Sequence, residues 1–378
     1  MKYNLNLPSL SILEKKYAID VIKGGWLSSN GTHTKIFEKK FSSFLGKKYS
    51  LAVQSGTSAL HVALKGLDIK NGDKVIIPNY TCVSNISAVS QCNAIPVIVE
   101  VERDTLGLDY NLVEKAIIKH KPKALQLVHV YGFPARDTMR IINLCKKKNI
   151  KIIEDASESL GAKIKKKYVG SLGDVAIFSL RSEKMIGVGE GGVITTSDNR
   201  IFKKIKLLAS RNAPFRSSYD PYWKKYYHKG EGYNYLMPHM LGALARAQIE
   251  RFKKQILIKK ILVGQNYRKL FDNSRIEFTQ KIIKETTPVF WLNSIYFKET
   301  SKEDVRRIGS LLMKKGIEVR SGFWPLNLLK SFKSLYVHNK EFNSKEIFEK
   351  SLVLPSSYNL SMKDIKNIYK ILLNILDR

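Results

Sequence analysis

The chain has 378 residues, 44% of them apolar, and its 65 Lys and Arg against 33 Asp and Glu leave a net charge of +32. That length is ample for two domains of unequal size, while no run of about 18 apolar residues occurs to span a membrane. The basic residues are spread along the chain in short clusters such as Lys146-Lys147-Lys148, which argues against nucleic acid as the principal partner and leaves an attraction for small anions.

The N-terminus, MKYNLNLPSL, lacks the apolar stretch of a secretory signal. Three cysteines, Cys82, Cys92 and Cys145, fit neither a disulfide framework nor a zinc-ligand spacing, so no metal site is expected. Together these features read as a reduced, cytoplasmic protein.

From about residue 50 to 200, short runs rich in Val and Ile alternate with helix-period segments. The predicted strands are 74–78, 96–101, 124–130, 151–155, 174–178 and 192–196, and TMRIINLCKKK (138–148) is one of the intervening helices. Near-continuous apolar character marks strands buried on both faces, and the alternation predicts an α/β layered fold with a largely parallel sheet. Ligands of such sheets bind beyond the carboxyl ends of the strands.

After about residue 250 the pattern changes. A helical stretch (248–271) precedes an aromatic strand, VFWLNSIYF (289–297). Ser301 then caps a helix that Gly316 ends. In the final segment Ile365, Ile368, Ile371, Leu372 and Ile375 fall on one helix face. The division expected is a large domain over 1–250 and a smaller α+β domain over 251–378.

Four segments can carry chemistry. Ser55-Gly56-Thr57-Ser58 precedes a helical run; small hydroxyl residues and a glycine there suit either a simple N-cap or a phosphate cradle. Asp155 ends the strand KIIED, where a carboxylate either caps the next segment or faces a ligand. Lys184 lies in FSLRSEKMIGVGEGG (178–192), a glycine-rich turn between two predicted strands. A lysine amine in a dry pocket loses its charge readily and forms a Schiff base with an aldehyde. The polar, aromatic stretch GEGYNYLMPHMLGALARAQIERF (230–252) reads alone as an ordinary loop running into a helix.

Taken together these segments resemble the DegT/DnrJ family of nucleotide-sugar aminotransferases, a branch of the fold-type I enzymes that use pyridoxal 5′-phosphate (PLP). The resemblance runs from GGWLSSNGTHTKIFEKKFSSFLG (24–46) to SLVLPSSYNL (351–360) and is most specific in KIIEDASESLGA and FSLRSEKMIGVGEGGVITT. It implies a large domain with a seven-stranded, mostly parallel sheet flanked by helices, a smaller C-terminal domain, and a homodimer with active sites at the interface. It further implies that Lys184 holds PLP as a Schiff base and that Asp155 faces the pyridine nitrogen. Gly56, Thr57, Ser58 and Ser179 would hold the phosphate, and Glu158 would lie beside the phenolic oxygen.

The chain departs from the family pattern at three places. Cys82, in Pro78-Asn79-Tyr80-Thr81-Cys82, stands where relatives stack an aromatic ring on PLP, leaving Tyr80 as one substitute. His239 stands where relatives have an Asn reaching the partner's cofactor phosphate. Arg181 replaces an aromatic residue or His three positions before the lysine. A guanidinium there suits either capture of a phosphate or a pair with Glu183, Glu190 or another acid.

The resemblance implies transfer of an amino group from L-glutamate or glutamine to a ketone. Glu158 and the segment 317–327, with Arg320 and Trp324 at the acceptor site, are most similar to enzymes making 4-amino-4,6-dideoxy sugars on a nucleotide, for capsule or O-antigen polysaccharide. Arg181 keeps open a small phosphorylated ketone such as dihydroxyacetone phosphate, giving serinol phosphate. A PLP-binding regulatory protein without turnover is the reading of another class.

Overall fold

The computed structural model describes residues 1–215, 219–271, 275–338 and 344–377. Its large sheet contains β1 (Tyr49–Val53), β2 (Lys74–Pro78), β3 (Ile95–Val99), β4 (Ala124–Val128), β5 (Lys151–Asp155), β6 (Val175–Ser179), β7 (Gly192–Thr196) and β8 (Leu335–Val337). Their spatial order is β1-β7-β6-β5-β4-β2-β3-β8. β7 runs antiparallel to both neighbours, and the remaining pairs are parallel. The seven strands expected become eight because Leu335–Val337 returns from the C-terminal part of the chain and pairs with β3.

The apolar runs are continuous because successive residues feed different cores. Val75 and Ile77 join one buried cluster with the helices Gly56–Gly66, Ser84–Gln91 and Asn199–Ala209. Ile76 faces the other side, against Tyr110–His120 and Thr138–Lys147. This is the period-two alternation of a strand covered on both faces.

A second sheet is antiparallel, with strands Ile276–Phe278, Asn293–Phe297, Ser351–Leu354 and Arg320–Ser321 in that order. Helices Lys302–Lys314 and Met362–Leu376 cover it, burying Ile308, Leu312, Ile365, Ile368, Leu372 and Ile375. Ser301 caps the first of these by accepting the Asp304 N–H at 3.1 Å. Tyr3 packs into the same cluster, so the N-terminus belongs to this layer. Residue 250 lies inside a continuous helical run, His239–Arg251 followed by a π-turn at Phe252–Ile256 and Leu257–Leu270.

The strand expected at 289–297 begins at Asn293. Residues 289–292 instead form a loop against the turn after β4, where Val289 N–H donates to Gly132 O at 2.9 Å. Gly132, at φ +96°, leaves room that a Cβ would fill, meeting Trp291 N at 2.5 Å.

Candidate active site

β5 and β6 end side by side, bringing Asp155 and Ser179 to one edge of the sheet. The helix Gly56–Gly66 points its N-terminus at the same edge. Between β6 and β7 the chain makes the glycine-rich turn that carries Lys184. These elements enclose a cavity of about 720 Å³ lined by Asp155, Lys184, Glu158, Ser179, Gly56 and Thr57, among others.

The lysine turn is held from three directions. Within it, Lys184 N–H donates to Arg181 O at 2.8 Å and Ser182 N–H to Gly189 O at 2.9 Å. Gln248 brackets Gly187, accepting its N–H at 2.9 Å and donating to its carbonyl at 2.7 Å. The Glu183 carbonyl accepts Trp291 Nε1–H at 2.6 Å and also the Asn6 side-chain amide. Trp291 is in turn supported by buried Lys260, whose Nζ donates to its carbonyl at 2.8 Å and whose pKa burial lowers to about 7. At the end of this scaffold Lys184 Nζ lies 3.5 Å from the centroid of the Trp291 ring.

Two buried carboxylates face the lysine's end of the cavity. Glu158 Oε1 accepts from Lys184 Nζ at 3.1 Å, and its Oε2 accepts the Tyr131 N–H at 2.9 Å. Burial raises the Glu158 carboxyl above its ordinary range, against the opposing pull of the Lys184 ammonium. That second bond also holds Tyr131 at φ 54°, ψ 18°, a conformation costly for a bulky residue. Asp155 is turned by Asn85, whose amide donates to Oδ2 at 3.0 Å, and by Ser157 N–H, which donates to Oδ1 at 3.0 Å.

At the opposite wall, Ser55 caps the helix by accepting the Ser58 N–H at 3.0 Å. Helix geometry leaves the N–H groups of Gly56 and Thr57 without intrahelical acceptors, and no acidic side chain occupies the first turn. A Cβ on Gly56 would approach Ser179 Cβ at 3.1 Å. Gly192, at the start of β7, is more tightly constrained, since a Cβ there would meet Ser55 O at 2.3 Å.

The expected site residues divide accordingly. Thr57 reaches the cavity, its hydroxyl donating to Ser84 at 2.9 Å. Ser58 instead turns its hydroxyl to Ser55 Oγ at 2.8 Å. Cys82 lines the cavity and is exposed, with Sγ 3.3 Å from Ser84 Oγ. Tyr80 does not substitute for a stacking ring. It is fully buried behind the wall, 3.2 Å from the Tyr131 hydroxyl, and burial pushes its pKa up to about 12.

Arg320 and Trp324 line the mouth. Arg181 also lies there, spent on Glu183 at 3.3 Å and Glu190 at 3.5 Å. His239 is absent from this cavity. It is buried elsewhere, with Nε2 accepting the His33 N–H at 3.1 Å and Nδ1 2.8 Å from Trp26 O. Its expected reach is toward the cofactor of a second copy, and it lies beside exposed Trp26 rather than in its own chain's cavity. Asn85, Tyr131 and Trp291 were not expected at the site. Trp291 lay inside the apparent strand, and Asn85 and Tyr131 carry no local pattern pointing to a ligand.

The family model for the DegT/DnrJ/EryC1/StrS aminotransferases matches residues 9–373. The chain belongs to this family. GDP-perosamine synthase of Escherichia coli O157:H7 is 32% identical over 358 residues, covering 95% of this chain and 94% of its own. GDP-perosamine synthase of Vibrio cholerae is 32% identical over 364 residues, covering 96% and 95%. Among solved structures, an aminotransferase from Psychrobacter cryohalolentis superposes at a TM-score of 0.88 with 26% identity, covering 99% of both chains. Helicobacter pylori PseC, an aminotransferase of pseudaminic acid biosynthesis, superposes at 0.90 over 100% of both chains with 22% identity, a likeness of fold.

As a DegT/DnrJ/EryC1/StrS aminotransferase the protein uses PLP. The walls fit that group. An amine for the aldehyde, a carboxylate for the ring nitrogen and a helix N-terminus for the phosphate line one cavity. Gly56 brings no side chain to this helix start, which leaves its backbone N–H open to an anion. Among the described residues no helix is long and apolar enough to cross a membrane.

Proposed function

We propose that this aminotransferase moves the amino group of L-glutamate, or of glutamine, onto a nucleotide-linked 4-keto-6-deoxy sugar destined for a surface polysaccharide. The observation that carries the reading is the convergence of Lys184, Asp155 and the Ser55–Thr57 helix start on one cavity, in a chain 32% identical to two GDP-perosamine synthases.

PLP, when bound, supplies an electron sink for charge developing at the carbon that bears the nitrogen. In this reading Asp155 keeps the ring nitrogen protonated, and Asn85 and Ser157 N–H keep its oxygens aimed. The free N–H groups of Gly56 and Thr57, with the Ser179 hydroxyl, bind the phosphate. Nζ of Lys184 takes and returns the proton at the reacting carbon, while the Trp291 ring confines that amine and keeps bulk water from it. Arg320 and Trp324, at the mouth, receive the acceptor. Arg181 pairs with Glu183 and Glu190 and Arg320 with Glu318 and Glu183, so it is the 32% identity to two GDP-perosamine synthases that favours the nucleotide-linked sugar over a small phosphorylated ketone.

A second copy of the chain would cover Ile19, Ile22, Trp26 and Leu27, which are 50%, 63%, 57% and 55% exposed. Exposed apolar clusters of this kind favour association, and we read the active form as a homodimer, which light scattering tests. The function itself is tested by loading the enzyme with pyridoxamine phosphate and offering candidate ketones. Return of the aldehyde's absorption with the nucleotide-linked keto sugar, and none with dihydroxyacetone phosphate, is expected. The reverse pattern overturns the proposal.

A further inference from the structure

We propose that Glu158 accepts the proton that Lys184 must lose before its nitrogen can attack the cofactor aldehyde, and that it remains a neutral carboxylic acid while the cofactor is seated. This rests on the reading that PLP occupies the cavity and bonds to Lys184.

The pair is poised for such a transfer. Lys184 Nζ donates to Glu158 Oε1 at 3.1 Å, with side-chain exposures of 12% and 6%. An ammonium has no lone pair for a carbonyl carbon, so one proton must leave first. Moving it along the existing hydrogen bond converts ammonium and carboxylate into amine and carboxylic acid, with no change in net charge and no separated ions. The amine nitrogen then bonds to the aldehyde carbon. The aldehyde oxygen departs as water with both remaining amine hydrogens, and a C=N bond is left.

The surroundings explain why Glu158 would keep the proton. Facing it are Lys184 from the glycine-rich turn, Asp155 from the end of β5, and the Tyr131 segment after β4. The Tyr80 hydroxyl from the chain after β2 also feels its charge. Burial holds both tyrosines neutral, Tyr80 at about 12 and Tyr131 well above its ordinary value. Asp155 is a second acid. Once the Lys184 nitrogen has condensed, the ammonium that offset a Glu158 carboxylate is gone, and a buried unpaired carboxylate is strongly disfavoured.

The chemistry of PLP points the same way. Its aldehyde carbon is flanked on one side by the arm bearing phosphate and on the other by the ring hydroxyl. With the phosphate at Gly56–Thr57 and the ring nitrogen at Asp155, the hydroxyl oxygen falls on the Glu158 side. A carboxylate could only repel an oxygen anion there, whereas a carboxylic acid donates to it. Oε2 stays bound to Tyr131 N–H, so Oε1 is the oxygen that carries the proton.

The discriminating variant is Glu158→Gln, which preserves an acceptor for Tyr131 N–H but cannot take a proton. Three measurements are made on wild type and variant. Borohydride fixation of PLP to Lys184, read by mass, tests the underlying reading separately; wild-type protein that is never labelled there overturns that reading and this proposal with it. Given labelling, infrared difference spectra on PLP loading should show a deuterium-sensitive carboxylic-acid C=O band in wild type that is missing in Glu158→Gln. The rate of PLP capture at neutral pH should fall on the order of 10²-fold in the variant and recover at alkaline pH, where hydroxide takes the proton instead. A labelled wild type without the band, or a variant with unchanged capture rate and pH profile, overturns the proposal. If Glu158→Gln does not fold, the infrared experiment on wild type, with and without ¹³C-labelled glutamate, decides alone.

Discussion

A lysine whose amine sits 3.1 Å from a buried carboxylate and 3.5 Å from the centroid of an indole ring is held in position and direction. Lys184→Ala should therefore abolish borohydride fixation of PLP and lower the rate of the glutamate half-reaction by on the order of 10³-fold. Fixation at another lysine with retained turnover would show that a different amine does the chemistry. Cys82 offers a second readout. It lines the cavity and is exposed, whereas Cys92 and Cys145 are buried with thiols pushed up to about 11 and 12. Alkylation of the native protein should label Cys82, and saturating PLP should slow that labelling severalfold through mass action; labelling indifferent to PLP would put the cofactor elsewhere. Asp155 stood out in the sequence because it ends a strand, where ligands bind, Lys184 because it lies in a glycine-rich turn between two strands, and Glu158 only through the family resemblance; the structure lines one cavity with all three. Asn85 and Trp291 did not stand out, since their approach depends on how a short helix and a distant loop pack. His239 was expected to reach the cofactor of a second copy, and its place outside its own chain's cavity agrees with a residue that acts across an interface.

At the scale of elements, the runs with unbroken Val and Ile revealed six of the eight strands of the large sheet. β1 escaped because YSLAV is weakly apolar and lies at the sheet edge, where β7 is its one neighbouring strand among the described residues and a single bridge joins Val53 to Leu236. β8 escaped because its three residues are only half-buried and gain their place by pairing with β3. The edge strand β1 also carries a titratable tie. Glu38, on the helix Thr32–Leu45, accepts the Ala52 N–H at 2.8 Å, and burial raises its pKa from 4.5 to about 7. Between those values the folded chain holds a proton that the unfolded chain has released. Stability from this group is therefore greatest below about pH 4.5 and declines as pH rises to about 7, by no more than about 1.4 kcal/mol per pH unit. Glu38→Gln keeps the acceptor and removes the titration. Chemical denaturation at a series of pH values should show the variant gaining on wild type across that interval, and a constant difference would contradict it.

Over the whole molecule, 65 cationic side chains against 33 anionic ones surround a cavity whose expected substrates are anions. Such a field raises the encounter rate and is screened by salt. The second-order rate for the nucleotide-linked ketone should fall severalfold between about 0.05 and about 0.5 M salt, while the rate at saturating substrate changes little. Insensitivity of both would mean that the charge is local background. The props beneath the reactive turn have a temporal consequence. Asn6, Gln248 and Trp291 all grip the segment bearing Lys184, yet two of the three follow it in the chain. A polypeptide emerging from the ribosome as far as β7 would thus possess its amine and its carboxylate without the supports that aim them. If Lys184 is the capturing amine, a nascent chain is expected to take up vitamin B6 only after residue 291 has been made, since the last of those supports is Trp291.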